Sequence, residues 1–212
     1  VGSEMCIRDR DYSEELEDLK IYPEETLEPY AGKFNLQFIK DGISLETQEK
    51  FGVGYDEISN RITIPERSVS GELVGLMGRA NYECEHEKRW HPLIPCPRSR
   101  TLFGYTENYH RIQETGNIVL FESEKAVQQC DSFGCNIALA TCGCHVSETQ
   151  AKYIRKLFPK KVILAYDEGL EEEHLVNECK KLITNNLILK TQVGYIWSVS
   201  YTHLTLPTIL RV

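Results

Sequence analysis

No stretch of this chain approaches the roughly 18 consecutive apolar residues of a membrane-spanning helix, and no secretory leader is visible. The expectation is a cytoplasmic protein, with no membrane partner, in a reducing setting. Positive charge is also scarce overall. Acidic residues number 32 against 24 lysines and arginines, a formal net charge of −8, which excludes a protein coated in basic surface. Repeats and low-complexity segments are missing as well. The 8 cysteines follow no disulfide-framework spacing. What is present is 41% hydrophobic content, over a length that can bury a core as one domain or two small ones.

The two ends read differently from the middle. Met5-Cys6-Ile7-Arg8-Asp9 can be encoded by ATG TGT ATA AGA GAC. The reverse complement translates as Val-Ser-Tyr-Thr-His, and residues 199–203 spell that peptide. Both ends thus read as translated sequencing-adaptor DNA, inverted at the edges of an assembled fragment, and are set aside like an expression scar. The alternative is a natural tail and a natural terminal strand. The expected parts are an artefact at 1–9, an amino-terminal subdomain at 10–115, a second domain at 116–198 and an artefact at 199–212.

Residues 11–19 and 23–30 read as short acidic helices, with Pro23 suited to a first helical position. Residues 34–40 and 45–51 have helical spacing on either side of the breaker Asp41-Gly42. Residues 61–65 and 72–77 look like strands joined by a turn at Val69-Ser70-Gly71, and 81–100 reads as irregular. Beyond Thr115-Gly116-Asn117 the chain alternates. Strands at Asn117-Ile-Val-Leu-Phe, around 137–140 and at 161–166 enclose helices at 124–133 and 147–157. Gly134 stops the first helix, and Ser147-Glu-Thr-Gln150 forms a capping box for the second. A third helix at 171–182 and a further strand within 187–197 follow. This β-α-β-α-β order makes the strands parallel.

Two of those strands run straight into a carboxylate. Glu122 ends one and Asp167, in Asp167-Glu168-Gly169, ends the other. Ligand sites in parallel sheets gather beyond the strand carboxyl ends. Carboxylates placed there repel one another unless a cation sits between them, and Mg²⁺ suits that role. Glu168 is a possible further ligand, and Gly169 leaves room for a phosphate. Two plainer readings stand beside this: Glu122 as a helix cap, and Asp167 to Gly169 as a turn with Gly169 at positive φ. The local charge balance adds a second signal. Lys88, Arg89, Arg98, Arg100 and Arg111 face only Glu107 across residues 88–111, so an acidic chain can still hold a basic groove for nucleic acid.

At these residues the sequence resembles the TOPRIM-containing, DnaG-type primases of bacteria and their phages. In them a strand-end Glu precedes a small residue, and a later strand ends in Asp-x-Asp. Phe51-Gly-Val-Gly-Tyr55, the strand led by Arg61, Gly75-Leu-Met-Gly-Arg79 and Leu102-Phe-Gly104 are similar to further signatures, so the likeness covers about residues 36–197. It implies an α/β fold: a small mixed α/β amino-terminal subdomain, then a TOPRIM-like, Rossmann-like parallel sheet flanked by helices. It implies a nucleotidyltransferase making RNA primers on single-stranded DNA from ribonucleoside triphosphates, with a replicative helicase as partner of the full-length protein. Glu122 and Asp167 would be catalytic and, with Glu168, hold two Mg²⁺ or Mn²⁺ ions. Arg61, Arg79, Lys88 and Arg98 would face template or nucleotide.

The chain departs from the family's pattern in places. Gly169 stands where the second Asp of Asp-x-Asp is expected, so Glu168 or Glu172 would have to substitute, and Ala126 replaces an Asp four residues past Glu122. A third acidic motif is expected past Trp197, and these residues alone are therefore expected to be inactive. No zinc is expected, since the family's amino-terminal zinc ribbon is missing and Cys84, His86, His91 and Cys96 lack a Cys-x-x-Cys knuckle. Cys142-Gly-Cys144-His145 is read as small buried cysteines on a loop in preference to a reactive thiol. The competing functions are a TOPRIM nuclease or topoisomerase, and a degenerate nucleic-acid-binding module.

Overall fold

The computed structural model describes residues 19–85, 88–183 and 190–196. The expected adaptor-like ends, most of the expected helix at 11–19, His86 and Trp197 lie outside the described residues. Two four-stranded sheets organise the rest. The first is antiparallel, in the order β1 (Gly54–Asp56), β2 (Arg61–Arg67), β3 (Leu73–Ala80) and β4 (Trp90–Ile94). The second is parallel, ordered β6 (Ala138–Ala140), β5 (Asn117–Phe121), β7 (Lys161–Leu164) and β8 (Gln192–Tyr195).

The turn between β2 and β3 forms where Val69-Ser70-Gly71 foretold it. The Ser68 hydroxyl accepts from the Ser70 and Glu72 amides, and Gly71 takes φ +96°, a left-handed value that costs glycine nothing. Pro65 sits inside β2, where the β1 pairing has already ended at Thr63, so no ladder bond on that side is lost. The region expected to be irregular contains β4. It carries Pro92 and is an edge strand, the place where a sheet tolerates proline. Two short helices, α1 (Leu36–Lys40) and α2 (Leu45–Lys50), precede this sheet. Their N-caps Asn35 and Ser44 accept amide hydrogens of the first turn. The helix expected at 23–30 shrinks to one 3₁₀ turn, Glu24–Leu27, with no buried residue to hold a longer one.

Helix α3 (Tyr105–Thr115) links the sheets and was not foreseen. Its sequence is polar, and only Asn108 and Ile112 are buried, so the hydrophobic period is faint. Its boundaries are marked instead by Gly104 and Gly116, both left-handed. From Gly116 the chain enters the parallel sheet, with α4 (Glu124–Ser132), α5 (Glu148–Lys156) and α6 (Glu172–Leu182) at the expected places. The capping box at Ser147 and Gln150 is formed in both directions.

One apolar cluster fills the parallel sheet and its helices, with Ile118, Leu120, Val162 and Leu164 fully buried. A second spans both sheets: Phe38, Ile62 and Ile64 pack with Phe103, Val127 and Ala140. Phe103 also exchanges two backbone hydrogen bonds with Ala140, extending the parallel sheet at its β6 edge, and its ring stacks on Phe51 at 5.2 Å. The two sheets therefore share a core. That fixes the antiparallel half against the strand ends where the acids lie.

Candidate active site

Glu122 directly follows β5, and Asp167 follows β7 after Ala165 and Tyr166. The parallel register Leu120↔Leu164 sets these ends side by side, and the Ala165 amide donates to the Leu120 carbonyl at 2.8 Å. The loop after β6 closes over them. The Thr141 amide donates to the Phe121 carbonyl, the Gly143 amide donates to the Glu122 carbonyl, and Thr141 Oγ1 lies 3.0 Å from the Tyr166 hydroxyl. Gln150, fully buried in α5, holds this loop from behind. Its amide nitrogen donates to the carbonyls of Arg98, Thr101 and Thr141.

The Glu122 carboxyl is pushed above the usual carboxylate range, first by burial and then by the negative charge of Asp167. A backbone hydrogen bond from Asp167 and the nearby His174 and His145 act in the opposite sense. Glu122 Oε1 is buried and has no hydrogen-bond partner. A buried carboxylate oxygen left in that state is costly. A divalent cation shared with Asp167 would satisfy it and relieve the repulsion, so these residues fit the metal that the family resemblance implies. Asp167, Glu168 and Gly169 are exposed and line a small recess of about 190 Å³ with Tyr166 and Leu175. Gly169 takes φ +98°, so the turn reading describes its backbone. Glu172, the other acid offered in place of the second Asp, accepts a hydrogen bond from the Tyr195 hydroxyl at 2.7 Å.

The basic residues divide into two kinds. Arg61 is buried, and its guanidinium donates to the carbonyls of Gly78, Lys88 and Arg89 and to the Tyr82 hydroxyl. Gly78 makes room for it, since a Cβ there would lie 3.0 Å from Arg61 Cδ. Arg98 points inward too. It pairs with the buried Glu124 and lies 3.9 Å from buried Glu66. Both guanidiniums thus serve the protein interior, unlike the template-facing groups the family pattern implies, because a buried donor set or a buried acid has claimed them. Arg79 stacks against Phe38 and Trp90 and pairs with Asp41 at 3.3 Å, and it lines a cleft of about 730 Å³ with Gln37, Asn81 and exposed Arg89. Lys88 is exposed beside this cleft, paired with Glu85. Arg89, not singled out by motif, is the added member of this surface.

Of the described cysteines, Cys179 is buried and the others are half-buried. Burial pushes the Cys142 thiol well above its ordinary value, and the charges of Glu124 and Glu66 push it further. Burial likewise drives Cys96 up to about 12. Among the described residues, the clusters of metal-ligating side chains are Cys144, His145 and His174, and Glu66, Glu124 and Cys142. Neither includes Cys84, His91 or Cys96.

No family model matches the chain. Its sequence is 25% identical over 188 residues to the SPbeta prophage-derived uncharacterized protein YorJ of Bacillus subtilis (strain 168), covering 78% of this chain and 50% of that protein. It is 29% identical over 127 residues to the DNA primase of Staphylococcus aureus (strain COL), covering 59% of this chain and 21% of the primase. A solved DnaG primase catalytic domain bound to single-stranded DNA superposes with a TM-score of 0.61 at 16% identity, covering 77% of this chain and 65% of that one. The chain thus spans half the length of the prophage relative and about a fifth of the primase. Among the described residues no helix is long and apolar enough to cross a membrane. With its antiparallel sheet leading into a helix-flanked parallel sheet, the chain has the fold of DnaG-type primase catalytic cores, and its sequence resembles bacterial DNA primases.

Proposed function

We propose that this chain is the catalytic core of a DNA primase, carrying out metal-dependent nucleotidyl transfer to make RNA primers on a single-stranded DNA template. The observation that carries the reading is the orphaned, buried Glu122 oxygen at the end of β5, beside Asp167 at the end of β7. Glu122 and Asp167 would hold Mg²⁺ or Mn²⁺, with exposed Glu168 as a further oxygen donor. Bound there, the ion would supply charge neutralisation at the α-phosphate and activation of the attacking 3′-hydroxyl. The protein's own task is positioning. The Thr141 loop and Tyr166 shape the floor beside Glu122, and Gln150 keeps that loop rigid. Arg79 and Arg89 offer charge along the cleft for template phosphates, with exposed Lys88 next to Arg89 in the chain.

The test has two parts. Calorimetric titration with Mn²⁺ should show binding by the wild type that falls at least about tenfold in Glu122→Gln and Asp167→Asn. Labelled-ribonucleotide incorporation on single-stranded template, by the protein expressed from its natural gene, should be lost in the same variants. Metal binding without incorporation would favour the nuclease reading. Equal Mn²⁺ affinity in all three proteins would refute the acid pair as a metal site.

A further inference from the structure

Beside the acid pair, the loop after β6 and the first turn of α6 bring together three side chains that the carboxylate metal site does not use as ligands. Cys144, His145 and His174 each present a ligand atom, and these atoms lie within 4.8 Å of one another. The sequence juxtaposes only the first two. His174 comes from a helix 30 residues further on. Its Nε2 lies 2.7 Å from the Cys144 carbonyl oxygen. A carbonyl can only accept, so Nε2 carries a proton, and in the neutral ring Nδ1 holds the lone pair. His145 Nδ1 lies 3.3 Å from Glu178 Oε1. That buried carboxylate also accepts from the Val146 amide and from Lys181, so the proton sits on Nδ1 and the lone pair on Nε2. Each imidazole is therefore held by an N–H donated to a carbonyl or carboxylate, the bracing found behind metal-bound histidines. The two rings meet edge to face with centroids 4.9 Å apart.

We infer that Cys144, His145 and His174 form a binding site for one borderline-soft divalent cation of the zinc class, with water in the fourth position. This departs from the zinc-free expectation set by the cysteine spacings, because the third ligand is supplied by the fold. The site differs in kind from the acid pair. Thiolate and imidazole select zinc-like ions, whereas carboxylate oxygens suit Mg²⁺. Zn–S and Zn–N bonds of about 2.3 and 2.0 Å place neighbouring ligand atoms about 3.5 Å apart. The loop must then close by roughly an ångström from the present spacing. Gly143, next to Cys144, has nothing within 4 Å of the place a Cβ would occupy, which leaves room for that closure. His145 is exposed, its side chain 70% accessible, so the fourth position opens to solvent. On binding, the Cys144 thiol passes its proton to water and the sulfur bonds the ion as thiolate.

Co²⁺ serves as the probe, because a cobalt–thiolate bond gives a sulfur-to-metal charge-transfer band in the near ultraviolet. Titrating the metal-free chain should produce this band at one equivalent. Zn²⁺ should abolish it by competition, and a large excess of Mg²⁺ should not. Cys144→Ser should lose the band, Cys142→Ser should keep it, and His174→Ala should weaken Co²⁺ at least about tenfold. Glu122→Gln should retain both band and stoichiometry, which separates this site from the acid pair whatever becomes of the primase reading. If Cys144→Ser does not fold, the solvent-facing His145→Ala replaces it, with the same tenfold weakening expected. No band in the wild type, a band that survives Cys144→Ser, or unchanged affinity in both histidine variants would overturn the proposal.

Discussion

Glu66 is a fully buried carboxyl where the two sheets meet, and replacing it by glutamine gives a quantitative test of its protonation in the fold. Its side chain is 0% exposed, on β2, and neither carboxylate oxygen has a hydrogen-bond partner. Burial raises its pKa well above 4.5, and the charge of Glu124, reaching across from α4, raises it further, while Arg98 acts against both. The folded protein therefore holds a proton on Glu66 that the unfolded chain releases. Below the unfolded value the group is neutral in both states, and its contribution to stability is fully present. As pH rises from about 4.5 toward the folded value, the unfolded chain gains by ionising, and stability falls by about 1.4 kcal/mol per pH unit. Glu66→Gln has no proton to lose. Its stability relative to wild type should therefore climb at that slope from about pH 4.5 upward, then level off past the folded pKa. Urea denaturation of both proteins at half-unit pH steps measures the difference. Groups such as Asp41 and Glu178, whose pKa values are lowered, lose their contribution as pH falls, but they do so equally in both proteins and cancel. A difference that stays flat with pH would show that Glu66 is ionised in the fold, and would refute the buried proton.

Arg98→Met should destabilise by about 3–5 kcal/mol, because it leaves the Glu124 carboxylate buried without its cation; a thermal or urea midpoint within a few tenths of wild type would refute an inward role for this arginine. Lys88→Glu with Arg89→Glu should weaken single-stranded DNA binding and flatten the slope of log affinity against log salt by about 0.7 for each phosphate no longer neutralised. Stability should barely move, since the Lys88–Glu85 pair is exposed and such pairs contribute little. An unchanged slope would move the template away from this cleft.

The parallel half was legible in the sequence because its signals are local. Short apolar runs, Gly134 as a stop and the Ser147–Gln150 capping box each act within a few residues, and all three appear as expected. The acids were legible for the same reason: residues just past the carboxyl ends of neighbouring parallel strands gather at one edge of the sheet. Three features were not. Helix α3 hides because its contacts come from Asn108, which donates to the Ala138 carbonyl, as much as from Ile112. Strand β4 hides because Pro92 reads as a breaker unless the strand is known to be an edge. The inward turn of Arg61 and Arg98 hides because it depends on partners 17 to 28 residues away, Gly78 and Arg89, or 26 away, Glu124. A family motif names the arginine and says nothing of which side of the sheet will claim it.

Two close acid pairs stand among the described residues, and they are resolved differently. Glu66 and Glu124 are buried where the sheets meet, and the protein supplies its own cation, the Arg98 guanidinium, together with a proton on Glu66. That pair is closed, and an added metal would have to displace the Arg98 guanidinium from two buried carboxyl groups. Glu122 and Asp167 repel each other in the same way, but the groups that offset this at Glu122 are a backbone amide and two histidines, with one oxygen left unpartnered. Asp167 is exposed, so an ion from solution can reach the pair. Electrostatics alone thus separates a structural acid pair from a receptive one. The separation predicts that raising Mn²⁺ stabilises the wild type by mass action and leaves Asp167→Asn much less affected, while Glu66→Gln responds like wild type. A midpoint shift of equal size in wild type and Asp167→Asn would show that the ion binds elsewhere.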